Sequence, residues 1–340
     1  MSASLRNFLI TRILLTIPMV LILITMVFLI MRVLPGDPIR SQLGPKVTAA
    51  QAAALSERLG LNRPLHEQYF DFLWKMVTLD FGNALTQGER PIKDELAERM
   101  PATVELAIPA MIFTAGFGVL MGAFAAKHRK KWVDYAIRTF SIAIYSIPVF
   151  FLGLLFQIIF SVRIPLLPLA GRMDPILLRS FDTPTNFYVI DAIITGNWPA
   201  LGSALSHLVL PSLTLGLALC GVYIRLTRVN MIEMLQSDFI TAGRARGLPE
   251  QRLVYRHALR NTFIPILTLI GLEFAILLAG AILTETTFSW PGMGRYLVER
   301  ISLRDYTAVQ SSIGVFALFV GFITLAMDIL YAFVDPRIRY

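Results

Sequence analysis

Long apolar runs alternate with polar segments along the whole chain. Six of the runs reach or approach the roughly 20 predominantly apolar residues that a transmembrane helix needs. They cover about residues 9–31, 102–126, 135–161, 206–227, 262–284 and 309–333. Because lipid offers the backbone no hydrogen-bond partners, a spanning segment satisfies its own N–H and C=O groups by forming a helix. The pattern therefore predicts an all-α, polytopic membrane protein with six transmembrane helices.

The longest polar segment, residues 39–101, carries signals for two short helices. Thr48 with Gln51 matches a capping box that opens a helix, and Gly60 is placed to close it. Residues 65–77 have the apolar spacing of a second, amphipathic helix. We expect these helices to form a small extracytoplasmic segment between the first two spans.

Aromatic residues near the predicted ends of the spans have two interpretations. Phe70 and Trp74, four apart in the second short helix, are typical of a ligand-stacking pair or of packing and anchoring at a membrane surface. Residues 285–294 combine Phe288 and Trp290 with glycines and a proline. This composition suits a re-entrant turn at the outer mouth of a pathway, and equally an ordinary interfacial turn.

A polar, arginine-rich segment, residues 238–265, separates the fourth and fifth apolar runs. Its Arg246-Gly247-Leu248-Pro249 string is a helix-stop signal, because glycine adopts the left-handed cap conformation easily and proline can open the next helix. Residues 250–260 carry helix formers and a basic face with arginines four apart. These arginines are Arg252, Arg256 and Arg260. The segment is predicted to form a helix, a tight turn and a second helix.

Composition and charge agree with a membrane protein. The 340 residues are 55% hydrophobic and 16% charged, with a mean hydropathy of +0.63, which excludes an ordinary soluble domain. When both termini are placed in the cytoplasm, the excess of positive charge falls on that side, including the short basic loop at residues 127–132. The net charge of +8 is thus explained by topology, without a nucleic-acid partner. The lone Cys220 allows no disulfide within the chain.

The arginine-rich segment resembles the cytoplasmic coupling loop of permeases from binding-protein-dependent ATP-binding-cassette (ABC) importers. Gly247 falls on the glycine of that pattern and Ala242 on its central alanine, whereas Thr241 and Gly243 replace the alanine's usual neighbours. These departures, with His257-Ala258-Leu259-Arg260, resemble the dipeptide, oligopeptide and nickel branch. Taken alone, the segment is also consistent with a basic helix lying on anionic lipid headgroups.

Three further strings resemble the same branch and extend the resemblance over essentially the whole chain. They are Leu34-Pro35-Gly36-Asp37-Pro38, Leu59-Gly60-Leu61-Asn62-Arg63-Pro64-Leu65, and residues 285–294 with Leu303-Arg304-Asp305-Tyr306. The resemblance implies a type I ABC importer permease fold. It also implies three regions: residues 1–101 with the first span and the extracytoplasmic segment, a permease core at 102–333, and a cytoplasmic tail at 334–340.

The resemblance further implies partners and a location. A second permease chain, two cytoplasmic ATP-binding subunits and an extracytoplasmic solute-binding protein would join this chain in the cytoplasmic (inner) membrane, in contact with lipid. The residues expected to couple to an ATPase are Asp238, Ala242, Arg244, Arg246, Gly247 and Leu248. No cofactor is expected in this chain, because it lacks a phosphate-binding loop and the partner ATPases would bind ATP and magnesium. The chain is thus expected to be a transport subunit and not an enzyme.

Acidic residues within apolar runs are costly, by at least ~2.5 kcal/mol near the bilayer centre, and are usually functional or paired. Glu273 lies halfway along the fifth run, whereas Glu105 and Asp328 lie near the ends of theirs. We expect Glu273 to line the translocation pathway, where it could meet the amino group of a peptide, or to pair with a neighbouring helix or with the partner permease. Glu285 and Trp290 are the candidates at the outer mouth.

The expected cargo is a di- or oligopeptide, with nickel, an oligosaccharide or another solute as alternatives, since the branch shares its motifs across substrates. A secondary transporter driven by an ion gradient, with Glu273 as its cation site, is the alternative from another class. The second run also carries Gly118 and Gly122, and the fourth carries Ser212, Gly216 and Cys220 at the same four-residue spacing. Small residues so spaced predict close helix packing.

Overall fold

The computed structural model describes residues 3–33, 48–58, 60–84 and 90–334. Within these ranges the regular secondary structure is helical, apart from an isolated antiparallel bridge between Asn83 and Pro91. The predicted turn at residues 34–38 and the predicted tail beyond residue 334 lie outside the described residues. The all-α fold class is confirmed.

The helices are named in chain order. They are α1 (Ala3–Val33), α2 (Ala49–Arg58), α3 (Leu65–Thr78), α4 (Ile92–Lys127), α5 (Trp132–Ser146), α6 (Val149–Gln157), α7 (Pro175–Leu178), α8 (Tyr188–Ile194), α9 (Trp198–Leu235), α10 (Asp238–Ala245), α11 (Glu250–Arg252), α12 (Leu259–Thr287), α13 (Met293–Ser302) and α14 (Tyr306–Val334). Two stretches of π-helix follow α6 and α11, at Ile158–Arg163 and Leu253–Ala258.

In the described part of the chain, four helices are individually long and apolar enough to cross a membrane. They contain Ile10–Arg32, Ile92–Lys127, Trp198–Leu235 and Tyr306–Ile329. Two bent pairs bring the number to six when each pair counts as one span. These pairs are Trp132–Ser146 with Val149–Arg163, bent by 100°, and Leu269–Leu278 with Gly280–Thr287, bent by 45°. The six spans fall on the six apolar runs, and the sharper bend occurs at Pro148, which cannot continue a helix ladder.

One compact unit comprises the described residues up to 100 together with 292–329. Its core forms where α3 packs Phe72 and Met76 against Ile24 and Phe28 of α1 and against Ala308 of α14. The capping box at the start of α2 is present, with Gln51 N donating to Thr48 Oγ1 at 3.3 Å and Thr48 N donating to Gln51 Oε1 at 3.2 Å.

The same unit contains a buried ion pair that joins α13 to α4. Arg300 Nη2 donates to both carboxylate oxygens of Glu95, at 2.6 and 2.7 Å, and Tyr296 donates to the same carboxylate. Burial, together with this hydrogen bond, raises the pKa of Tyr296 above its ordinary value, so the phenol stays protonated and keeps donating.

A second compact unit comprises residues 101–291 and 330–334 among those described. Its centre is α9, which packs against α4, α5, α6 and α12. A Cβ added at Gly122 would lie 2.7 Å from the Ile224 carbonyl oxygen, and one at Gly216 would lie 2.9 Å from the Ala110 carbonyl oxygen. The backbones of α4 and α9 therefore touch at the predicted small residues, and the prediction of close packing is confirmed. The division into residues 1–101, 102–333 and 334–340 stays a prediction.

Candidate coupling surface and intramembrane residues

The predicted coupling segment folds as helix, tight turn and helix. Gly247 has a φ of +77°, the left-handed conformation that ends α10. Leu248 N donates to Gly243 O at 3.2 Å and Gly247 N donates to Arg244 O at 2.9 Å, which is the Schellman pattern of a helix C-terminus. Pro249 then precedes α11, as expected for a residue that opens a helix.

The underside of this segment is apolar and buried. Ile240 of α10 packs with Leu253 and Val254 of the following π-helix against Ala126 of α4 and Met231 of α9. This cluster fixes the segment to the ends of two membrane helices, so that a displacement of the segment is transmitted to them through packed side chains.

Gly243, which departs from the family pattern, has a packing role in the same cluster. A Cβ at this position would lie 2.7 Å from Leu253 Cδ2 and 3.5 Å from Leu248 Cδ1. Of the six residues expected to meet an ATPase, Leu248 is accordingly half-buried on the underside. The other five are exposed: Asp238, Ala242, Arg244, Arg246 and Gly247.

An exposed ion pair spans the turn. Arg244 Nη2 donates to Glu250 Oε1 at 2.8 Å and Arg244 Nε donates to Glu250 Oε2 at 3.1 Å. These hydrogen bonds lower the pKa of Glu250 and raise the pKa of Arg244 relative to their ordinary values. Because both side chains are nearly half exposed, the pair contributes only ~0–1 kcal/mol to stability.

The expected α-helix over residues 250–260 is wrong in its middle part. The α-helical turn ends at Arg252 and a π-helix runs through Leu253–Ala258. Hydrogen bonds from i to i+5 widen this turn, and residues five apart, Leu253 and Ala258, are both buried in the cluster. The arginines of the predicted basic face are all exposed, although their alignment is not that of a straight α-helix. They are Arg252, Arg256 and Arg260.

Glu273 lies at the midpoint of α12 and is only 7% exposed. In the described part of the structure the carboxylate has no hydrogen bond or ion pair, and α12 packs against α9. The structure thus places a buried, unpaired acid in the middle of a span. Its role in a pathway stays a prediction.

Glu285 and Trp290 are fully buried, and both form hydrogen bonds with α4 where the second apolar run begins. Thr103 Oγ1 donates to Glu285 Oε1 at 2.6 Å, and Trp290 Nε1 donates to Ala102 O at 2.8 Å. The two residues are brought together, since Trp290 N donates to Glu285 O at 2.8 Å. Along α12, Glu273 lies about 18 Å from Glu285 at a rise of 1.5 Å per residue, so it belongs to a different site.

The sequence did not reveal how the turn after α12 is held. Arg172, in the loop before α7, forms a buried ion pair with Glu105 of α4 and donates to Asn186 O at 2.6 Å. Its guanidinium lies 3.8 Å from the ring centroid of Tyr188 and 5.8 Å from that of Trp290. Glu105 was noticeable as an acid within a span, but a loop arginine has no periodicity that would single it out.

A second buried pair was also missed. Arg228 of α9 donates to both carboxylate oxygens of Asp134 in α5, at 2.6 and 2.8 Å. Lys130 N donates to the same carboxylate at 3.1 Å, so Asp134 also holds the backbone of the loop just before α5. Among the residues that the structure describes, no group of three or more His, Cys, Asp or Glu side chains is placed to hold a metal.

Two family models cover nearly the whole chain. Residues 118–340 match "Binding-protein-dependent transport system inner membrane component", and residues 5–107 match "Binding-prot-dependent transport system membrane comp, N-term". The chain belongs to this family. It is therefore a membrane permease component of a binding-protein-dependent transport system, a multi-pass protein of the inner membrane and a transport subunit.

Curated relatives of this permease match it end to end. The di/tripeptide transport system permease protein DppB of Pseudomonas aeruginosa is 40% identical over 92% of this chain and 93% of its own length. The dipeptide transport system permease protein DppB of Escherichia coli and the glutathione transport system permease protein GsiC of Salmonella choleraesuis are each 36% identical. Both alignments cover 98% of this chain and 99% of the relative.

Proposed function

We propose that this permease forms the translocation pathway of an ATP-driven importer for short peptides. The observation that carries the proposal is the end-to-end similarity to permeases named for dipeptides, tripeptides and glutathione, itself a tripeptide. A peptide presents an amino group, and the Glu273 carboxylate at mid-span, which has no partner among the described residues, supplies the opposite charge within the bilayer.

The permease works with partners in this proposal. A second permease chain completes the pathway, an extracytoplasmic binding protein delivers the peptide, and two cytoplasmic subunits bind ATP and magnesium. The exposed side of the coupling segment, with Asp238, Ala242, Arg244, Arg246 and Gly247, docks on an ATPase. The half-buried Leu248 secures the segment from below. Both termini face the cytoplasm, as the positive-inside rule favours.

The packing of the coupling segment supports a sequence of movements. ATP binding closes the two ATPases and draws the coupling segments together. The cluster around Ile240, Leu253 and Met231 transmits this displacement to α4 and α9, and the pathway opens outward. Peptide enters past the turn held by Glu285 and Trp290, and ATP hydrolysis restores the inward-facing state.

Reconstituted uptake tests the substrate and the energy source together. The permease, assembled with its proposed partner subunits, is placed in liposomes and supplied with labelled dipeptide, tripeptide, nickel or oligosaccharide. We expect uptake of the peptides that depends on ATP and persists when ionophores abolish ion gradients. Uptake of nickel or sugar alone would overturn the peptide assignment, and uptake that stops with the ion gradient would identify a secondary transporter.

A further inference from the structure

A cleft opens in the compact unit that contains the first and last spans, between the end of α1, α3 and the start of α14. Its volume is about 380 Å³, within the roughly 300–1,000 Å³ that small-molecule sites occupy. Its lining combines the guanidinium of Arg32 with the buried, apolar side chains of Phe72 and Met76. The exposed Phe70 and Trp74, on the opposite face of α3, do not contribute to the described lining.

The guanidinium of Arg32 is held in one orientation. It lies 5.0 Å from the ring centroid of Phe28 and 5.2 Å from that of Tyr306. Arg32 Nε donates to Gln68 Oε1 at 2.8 Å, and the Gln68 amide is fixed in turn because its Nε2 donates to Arg63 O at 2.7 Å. Ring contacts and this hydrogen bond therefore orient the guanidinium before any ligand binds.

The edge of the guanidinium formed by Nη1 and Nη2 keeps donors for a ligand. Nη1 of Arg32 reaches Gln310 Oε1 only at 3.5 Å, and Nη2 has no hydrogen-bond partner within the described residues. N–H groups on the two neighbouring nitrogens of one guanidinium match the two oxygens of a carboxylate. Such a bidentate contact is stronger than a hydrogen bond between neutral groups, and it selects a planar anion.

The other charges of the cleft also favour an anion. Among the described residues of the lining, Arg32, Arg63 and Lys75 are basic, and Asp71 is acidic. Asp71 is paired with Lys75 at 2.7 Å, and both side chains are nearly half exposed. Asp71 thus offsets one of three positive charges, and the remaining field attracts a carboxylate.

We propose that this cleft binds the C-terminal carboxylate of a short peptide, with Arg32 as the residue that recognises it. The inference rests on the proposed function, because a peptide of any sequence carries this carboxylate. In the proposed orientation α1 ends on the extracytoplasmic side, where the binding protein delivers the peptide. Phe72 and Met76 would contact the side chain of the peptide's last residue. Glu273 lies in the other compact unit, so the two residues are tested independently.

Peptide binding in the absence of the binding protein tests the site. The permease, assembled with its proposed partner permease and ATPases, is purified in detergent. Equilibrium dialysis then measures its affinity for a labelled tripeptide and for the same tripeptide with a C-terminal amide. In the wild type we expect amidation to weaken binding about tenfold, because charge-assisted hydrogen bonds are lost. In Arg32→Gln the free acid should bind as weakly as the amide, so that amidation has no further effect.

Three variants separate the carboxylate contact from a general loss of folding. Asp71→Asn removes the acid of the lining and frees the Lys75 ammonium, so the free acid should bind severalfold more tightly, which misfolding would not produce. Arg32→Lys keeps the charge without the planar fork and should restore only part of the amidation effect. Arg90→Gln, which removes an exposed pair with Glu98 away from the described lining, is the control. An amidation effect of the same size in the wild type and in Arg32→Gln would overturn the proposal.

Uptake and competing anions separate this inference from the proposed function. If ATP-dependent peptide uptake occurs while the amidation effect is independent of Arg32, the site is wrong and the proposed function stands. A transporter that imports no peptide would refute the proposed function, and this inference with it. Inorganic phosphate and phosphatidylglycerol in mixed micelles are offered in parallel. Arg32-dependent binding of either one, without Arg32-dependent binding of the peptide, would assign the guanidinium to a phosphate and overturn the proposal.

Discussion

Arg172 Nε lies 2.8 Å from Oε2 of Glu105, and neither side chain is accessible to solvent to a significant extent. The pair connects the loop before α7 with α4, and the remaining Glu105 oxygen accepts from Val189 N at 2.7 Å. Removal of one partner from such a pair leaves an uncompensated buried charge. The ion pair therefore adds a buried electrostatic contact to the hydrogen bonds that already hold the loop and the turn after α12, such as Trp290 Nε1 to Ala102 O.

We expect Arg172→Met to destabilise the permease by ~3–5 kcal/mol, since a lone buried carboxylate costs that much. Thermal unfolding of the purified transporter measures the loss. Arg90→Gln is the control, because the pair of Arg90 with Glu98 is exposed and its loss should leave stability nearly unchanged. Equal effects of the two substitutions would show that the Arg172 pair does not organise this region.

Gly247 is predicted to be needed for its backbone conformation. A Cβ at this position would meet nothing within 4 Å, but the φ of +77° costs other residues ~1 kcal/mol or more. Gly247→Asn, which tolerates this conformation, should keep most uptake, whereas Gly247→Val should lose it.

Gly247→Asp adds negative charge to a basic surface and should abolish ATPase docking while the spans still insert. Co-purification of the ATPase and transport-linked hydrolysis measure these effects; wild-type uptake by Gly247→Asp would exclude the segment as the coupling element.

The Arg244–Glu250 pair is expected to contribute little and to depend on pH. The pKa of Glu250 is lowered by the hydrogen bonds from Arg244, so the stabilisation is present above the ordinary glutamate pKa of ~4.3 and is lost as the pH falls through the lowered value. At pH 7, Arg244→Gln should cost at most ~1 kcal/mol. Unfolding of both proteins from pH 7 down to a pH well below the ordinary glutamate pKa tests this, and a difference that grows in acid would contradict the assignment.

Glu273→Gln is expected to change the rate or the peptide preference of uptake while assembly stays intact. The substitution removes the charge and keeps the shape, so a residue that meets the substrate's amino group loses its attraction without a new cavity. Uptake in proteoliposomes is compared with the yield of intact complex. Glu299→Gln, an acid in an exposed pair, is the control. If only the yield of complex falls, Glu273 is a structural residue.

Site-directed labelling tests the orientation of the chain. In a Cys220→Ala background, a cysteine at the exposed Glu67 should react with an impermeant maleimide from outside intact cells. A cysteine at the exposed Arg129, in the basic loop after α4, should react only after permeabilisation. The reverse pattern would place both termini outside.

The sequence predicted the spans and the turn because both have local signals. Hydropathy identifies a run of 20 apolar residues wherever it packs, and the Arg246-Gly247-Leu248-Pro249 string determines its own backbone conformation. The π-helix at Leu253–Ala258 was not predictable, because α and π turns have the same composition.

Site residues with a local signal in the sequence were predicted, whereas residues whose partners lie far away along the chain were not. Glu273 is conspicuous as a charge in an apolar run, whereas its environment depends on α9. The partners of Glu105 and Asp134 are 67 and 94 residues away along the chain, and no spacing rule connects such positions. Only the fold brings Arg172 and Arg228 to them.

The contact of α4 with α9 limits where this protein can bend. Gly122 and Gly216 bring backbone against backbone, so neither helix can slide without breaking contacts that side-chain rotations cannot restore. The Arg228 bridge ties α5 to the same pair. These three helices are therefore expected to move as one rigid group, which ends at the break before Pro148, where α5 is followed by α6.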